Sequence, residues 1–183
     1  MPPVLVRVAK RKTTWNGEVT PEEVVKIEFQ DKATGEVDLA PSFYLLADGR
    51  PRVVQAYAEH AASQMDRPEN RVHVDALGVE APAPVKTPGD TLFRFTRDVA
   101  HHELHFRGPS ELTAFVTGIL ADASRRLPTG SDAVLEYVGA MLDAGDREWV
   151  EACASHEKAK KWPEQVARLR RKQAASRRGP SSQ

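Results

Sequence analysis

The sequence predicts an α+β fold: a largely antiparallel sheet with one helix in the N-terminal part, followed by a helical C-terminal part. Three observations predict it. Apolar and polar residues alternate in several short stretches before residue 108, the period-two signature of half-buried strands. One stripe of helical period interrupts them, formed by Val53, Val54, Tyr57 and Ala61. After Pro109 the apolar residues recur at three and four, as in Leu112, Phe115, Val116, Ile119, Leu120 and Ala123. The expected organisation is a sheet domain over 1–108, a helical region over 109–175 packed on or beside it, and a disordered tail over 176–183.

Strands are expected at about 4–10, 23–30, 36–46, 71–79 and 91–106. In the first, Val4, Val6 and Val8 face one way. In the second, Val25, Ile27 and Phe29 oppose Lys26, Glu28 and Gln30, and the DKATG loop ending at Gly35 makes this stretch a hairpin with Val37 and Leu39. Pro41 ends or bends the third strand. A helix follows over about 51–65, started by Pro51, with Gln55, Glu59 and Gln64 outside its apolar stripe. The stretch EAPAPVKTPG at 80–89 reads as an extended connector because of its prolines. Beyond it, Leu104 and Phe106 form an apolar face expected to receive the helix that Ser110 caps. Further helices start near Ser131 and after Gly145, and a last one near Trp162-Pro163 carries only a thin apolar stripe, Val166 and Leu169.

The chain of 183 residues is 40% hydrophobic and 28% charged, as in an ordinary soluble globule, and its length suits one core burying roughly 70% of the unfolded surface. No apolar run reaches the length of a membrane span, so no membrane partner is expected. The start, MPPVLVRVAKRK, lacks the apolar core of a secretory signal. The single cysteine, Cys153, has no internal disulfide partner, and a reducing cytoplasm is the expected setting. The net charge of zero hides an asymmetry. From Glu151 onward nine basic residues face three acids, a net +6, and residues 1–150 carry the opposing −6.

Two stretches carry candidate chemistry. Residues 91–106 hold His101, His102 and His105 around Glu103. On a strand, His101, Glu103 and His105 share a face, and two imidazoles with a carboxylate suit a divalent metal ion. The spacing matches neither of the zinc-protease arrangements, whose glutamate is adjacent to one histidine and three positions from the other, whereas Glu103 lies two positions from both His101 and His105. The pair Cys153 and His156 is too small a ligand set for a structural zinc site. The second stretch is the basic C-terminal helix, with Lys158, Lys160, Lys161, Arg168, Arg170, Arg171 and Lys172, and with Trp162 as an interface anchor or stacking platform. The turn at Ala144-Gly145-Asp146 permits a helix-turn-helix, but the helix after it, REWVEACASH, is poor in cations.

No phosphate-binding glycine loop, nucleophile elbow or dinucleotide fingerprint is present in the sequence. The expectation is therefore a non-catalytic binding or adaptor component of a cytoplasmic assembly, contacting a protein partner through the basic helix. Nucleic-acid binding by the same helix is the first alternative. A metal-dependent enzyme centred on the HHELH stretch is the second.

Overall fold

The computed structural model describes residues 3–9, 15, 17–49, 51–64, 73–127 and 130–177. Within them the fold is α+β. Six short strands, β1 (Val4–Val8), β2 (Ser42–Leu46), β3 (His73–Asp75), β4 (Val85–Lys86), β5 (His101–Glu103) and β6 (Arg126–Leu127), form an antiparallel sheet in the order β4-β5-β2-β1-β3-β6. Val6 of β1 stands opposite Tyr44 on one side and Asp75 on the other, which places β1 near the middle.

The helices are α1 (Pro21–Glu28), α2 (Pro51–Gln64), α3 (Pro109–Leu120), α4 (Ser131–Asp143), α5 (Arg147–Ser155) and α6 (Trp162–Arg177). One face of the sheet presents Leu5, Phe43 and Val74 to Val24 and Val25 of α1 and to Leu112, Phe115 and Val116 of α3. The other face presents Val4, Val6, Tyr44 and Leu46 to Val53 and Ala56 of α2. The far side of α2, with Tyr57, Ala58, Ala61 and Ala62, packs on Val134, Trp149, Trp162 and Val166 of the last three helices. α2 is therefore covered on two sides, which explains its run of alanines: small side chains let both layers approach its backbone.

The expected strand at 23–30 is a helix. The alternation of Val25, Ile27 and Phe29 is real, but the preceding Thr20-Pro21-Glu22-Glu23 decides the local structure. The Glu23 amide donates to Thr20 Oγ1 at 3.3 Å, and Glu23 Oε2 accepts from the Thr20 amide at 2.9 Å, a reciprocal capping box with proline in the first turn. The expected hairpin shrinks to one bridge, Gln30 to Val37, and the third strand begins only after Pro41.

The expected strand at 91–106 is also mostly something else. The chain forms a π-helical turn, Phe95–Ala100, before β5. A buried carboxylate holds that turn: Thr96 donates its backbone N–H to Glu59 Oε2 at 3.1 Å, and the Thr96 and Thr91 hydroxyls lie 2.6 Å apart. Leu104 and Phe106 do receive α3, with the Phe106 and Phe115 rings 5.2 Å apart. Of the strand expected at 71–79, 73–75 is strand, and 71–72 lie outside the described residues. Two strands differ from expectation: β4 lies within the proline-rich stretch that reads as a connector, and β6 begins at Arg126, which reads as the last turn of the helix after Ser110; its pairing with β3 joins the chain beyond α3 to the sheet. α6 runs through Arg177, two residues into the expected tail, and 178–183 lie outside the described residues.

Candidate functional site

The histidine stretch does not assemble a metal site. His101 and His105 share a strand face, but four residues of extended chain separate them by roughly 13 Å, beyond the reach of one ion. His101 is buried at 6% exposure. Its Nδ1 lies 3.0 Å from both the hydroxyl and the carbonyl oxygen of Thr87, and its ring meets Tyr44 edge-on at 6.2 Å. Gly89 backs this ring so closely that a Cβ there would come within 2.8 Å of it. His102 donates from Nδ1 to the Ala100 carbonyl at 2.8 Å. His105, half exposed, pairs with Glu103 at 3.1 Å. Among the described residues, no three histidine, cysteine, aspartate or glutamate side chains are placed to share a metal ion. Cys153 is half-buried, and burial pushes its thiol pKa up, away from the thiolate a nucleophile needs.

The basic helix is divided by face. Trp162, Val166 and Leu169 of α6 are buried, and the Trp162 ring lies 6.0 Å from that of Trp149. Trp162 is thus a core residue, 1% exposed, and the expectation that it contacts a partner is corrected: the aromatic ring is spent on holding α6 to the molecule. On the flank, Arg170 donates to Asp143 of α4 at 2.6 Å, and Gln173 to Glu136 at 2.6 Å. Arg168, Arg171 and Lys172 are exposed away from this apolar side, and Arg171 and Lys172 follow Arg168 by three and four residues, so that the three form a single ridge. Glu164 stands in the same ridge, 3.5 Å from Arg168. Lys160 is exposed just before the helix, and Lys158 and Lys161 are half-buried beside it.

A cavity of about 350 Å³ lies where β1 ends and β2 begins, between the C-terminal end of α1 and the α2 residue His60. Arg7 is its central group. The guanidinium stacks over the Phe29 ring at 4.4 Å and donates to the carbonyls of Ser42 and Glu28, both at 3.0 Å. Its Nε is buried without a hydrogen-bond partner, 4.0 Å from Glu28 Oε2. Burial lowers the Arg7 pKa, and the charges of Glu28 and Asp38 oppose that shift. The lining also includes Tyr44 and His60 from the α2 side of the sheet, with the Tyr44 hydroxyl 2.8 Å from His60 Nδ1. Burial raises the phenol pKa well above its ordinary value, so Tyr44 stays protonated and can donate.

Alternation sets Arg7 opposite Val6 and Val8, and Glu28 opposite Ile27 and Phe29, but no local signal brings the two together, because α1, to which Glu28 belongs, reads as a strand. Glu59 was missed for a related reason: it is 2% exposed because α2 is covered on two sides. Burial pushes its carboxyl up to about 7, against the hydrogen bonds from Gln55 and Thr96.

A second groove, about 740 Å³, runs between residues 79–82 and α3 and is lined by His105, Arg107 and Glu111. Its charges are largely satisfied within it, with Arg107 bound to Glu111 at 3.0 Å. Among the described residues, no helix is long and apolar enough to cross a membrane. Comparisons with protein-family models, with curated proteins and with solved structures found no match.

Proposed function

We propose that the protein is a non-catalytic binding component that engages an acidic protein surface through the exposed cationic ridge of α6. The carrying observation is the division of that helix: its apolar side is consumed in the core, and Arg168, Arg171 and Lys172 project away from it. A helix anchored in this way presents its charges in a fixed geometry and loses little freedom on binding. The acidic balance of residues 1–150 sets this ridge apart from the rest of the surface and favours an oriented encounter. A cytoplasmic setting fits the lone Cys153.

Two features favour protein over nucleic acid. Glu164 interrupts the ridge with a negative charge, and Trp162 is withdrawn from any stacking role. Three cations with an embedded carboxylate offer few phosphate contacts.

The test is capture from extract with the intact chain and with the R168E/R171E/K172E variant, followed by reconstitution with the purified captured protein. The reading expects reconstituted binding that weakens with salt and is lost in the variant. Equal binding by both chains rejects it. A salt-steep shift of DNA or RNA, lost in the variant, transfers the ridge to nucleic acid instead. Deleting residues 158–183 does not serve as the test, because it also removes the buried side chains of Trp162, Val166 and Leu169.

A further inference from the structure

The Arg7 cavity is independent of the α6 ridge, and its lining is selective in charge. It holds one guanidinium, fixed by two backbone carbonyls and a flat contact with Phe29 rather than by a paired carboxylate fork. Such an arrangement orients a guanidinium without exhausting its five donors. Nε is buried and donates to nothing, a state that costs free energy unless something else uses the site. Around it stand three carboxylates, Glu28, Asp31 and Asp38. Asp31 is occupied in part by the amides of Ala33 and Thr34, both at 2.8 Å. Asp38 accepts from the Ala40 amide through Oδ1 at 3.0 Å, and among the described residues its Oδ2 accepts no hydrogen bond.

These charges exclude most ligands by sign. A phosphate or other polyanion would meet Arg7 but also a surplus of carboxylates. A simple cation would meet the carboxylates but also a guanidinium. A molecule bearing one negative and one positive group satisfies both. The volume lies at the lower end of small-molecule sites, which run from roughly 300 to 1,000 Å³. Tyr44 and His60 complete the lining and can hydrogen-bond or pack against the remainder of the ligand. We infer that this cavity binds a small zwitterion of amino-acid size, its carboxylate on Arg7 and its ammonium on Asp38.

Calorimetric titration of the full chain with the common amino acids tests this, with acetate, methylammonium and inorganic phosphate as comparators. The expected result is saturable binding of at least one amino acid and none of acetate or methylammonium at the same concentrations. Asp38 is exposed, so Asp38→Asn leaves the melting temperature unchanged and weakens that binding by about tenfold or more, the loss of one charge-assisted contact. Absence of binding by every amino acid overturns the inference. So does phosphate or a singly charged comparator binding as tightly as the amino acid, or an Asp38→Asn chain that binds like the wild type.

Discussion

Glu59 carries the sharpest consequence at the scale of single residues. Its carboxyl, ordinarily near 4.5, is raised to about 7 by burial, with Glu148 contributing in the same direction. The folded state therefore holds this proton more tightly than the unfolded chain does. The associated stability is fully present below the unfolded value and is lost as pH rises through the folded one. At about 1.4 kcal/mol per unit, the loss between pH 4.5 and 7 is about 3 kcal/mol. Denaturant unfolding at pH 5 and pH 8 checks it: stability falls across that interval in the wild type, and Glu59→Gln, which keeps an acceptor for the Thr96 amide, removes most of the fall. An unchanged slope in the variant contradicts the assignment. Thr20 gives a second residue-scale prediction. Thr20→Ala removes the hydroxyl that caps α1 and costs about 1 kcal/mol, read as a shift in the denaturation midpoint.

Among the elements, α1 and α6 show what was legible in the chain and what was not. The start signal of α1 was present in Thr20-Pro21-Glu22-Glu23, yet the alternation after it reads equally well as a strand. Over eight residues, period two and period 3.6 share enough positions that the cap, not the stripe, decides. α3 and α4 were legible because their apolar residues recur over three turns. For α6 the helix was legible and the role of Trp162 was not. Its burial depends on Trp149 and Phe93, whose rings lie 4.4 Å apart, and such a stack across three elements leaves no trace in local spacing. Trp162→Ala opens a large cavity there and is expected to cost about 3–5 kcal/mol, measured by chemical denaturation. For the histidine stretch, a shared face was legible and the burial of His101 against Thr87 and Gly89 was not, because those partners come from the loop before it.

Seen as a whole molecule, the chain is built in layers: α1 and α3, the sheet, α2, and then α4 to α6. Burial of α2 on both sides links the sheet to the last helices, and β6 ties residues beyond α3 back to β3. The class of the fold was legible because period two dominates early and period 3.6 late. The order β4-β5-β2-β1-β3-β6 was not, since β4 and β6 are two residues each and owe their strand character to their neighbours. The charge asymmetry was fully legible, and the fold gives it a place: a cationic ridge on the outermost layer of the molecule.

The central claim is that the two faces of α6 do separate work, one folding the chain and one binding a partner. The most direct measurement records melting temperature and partner capture in parallel for the wild type, Trp162→Ala and R168E/R171E/K172E. Trp162→Ala is expected to lower the melting temperature, whereas the triple reversal is expected to cost no more than about 1 kcal/mol of stability and to abolish capture. A triple variant that captures the same partner as the wild type, at the same salt and with its fold intact, contradicts it.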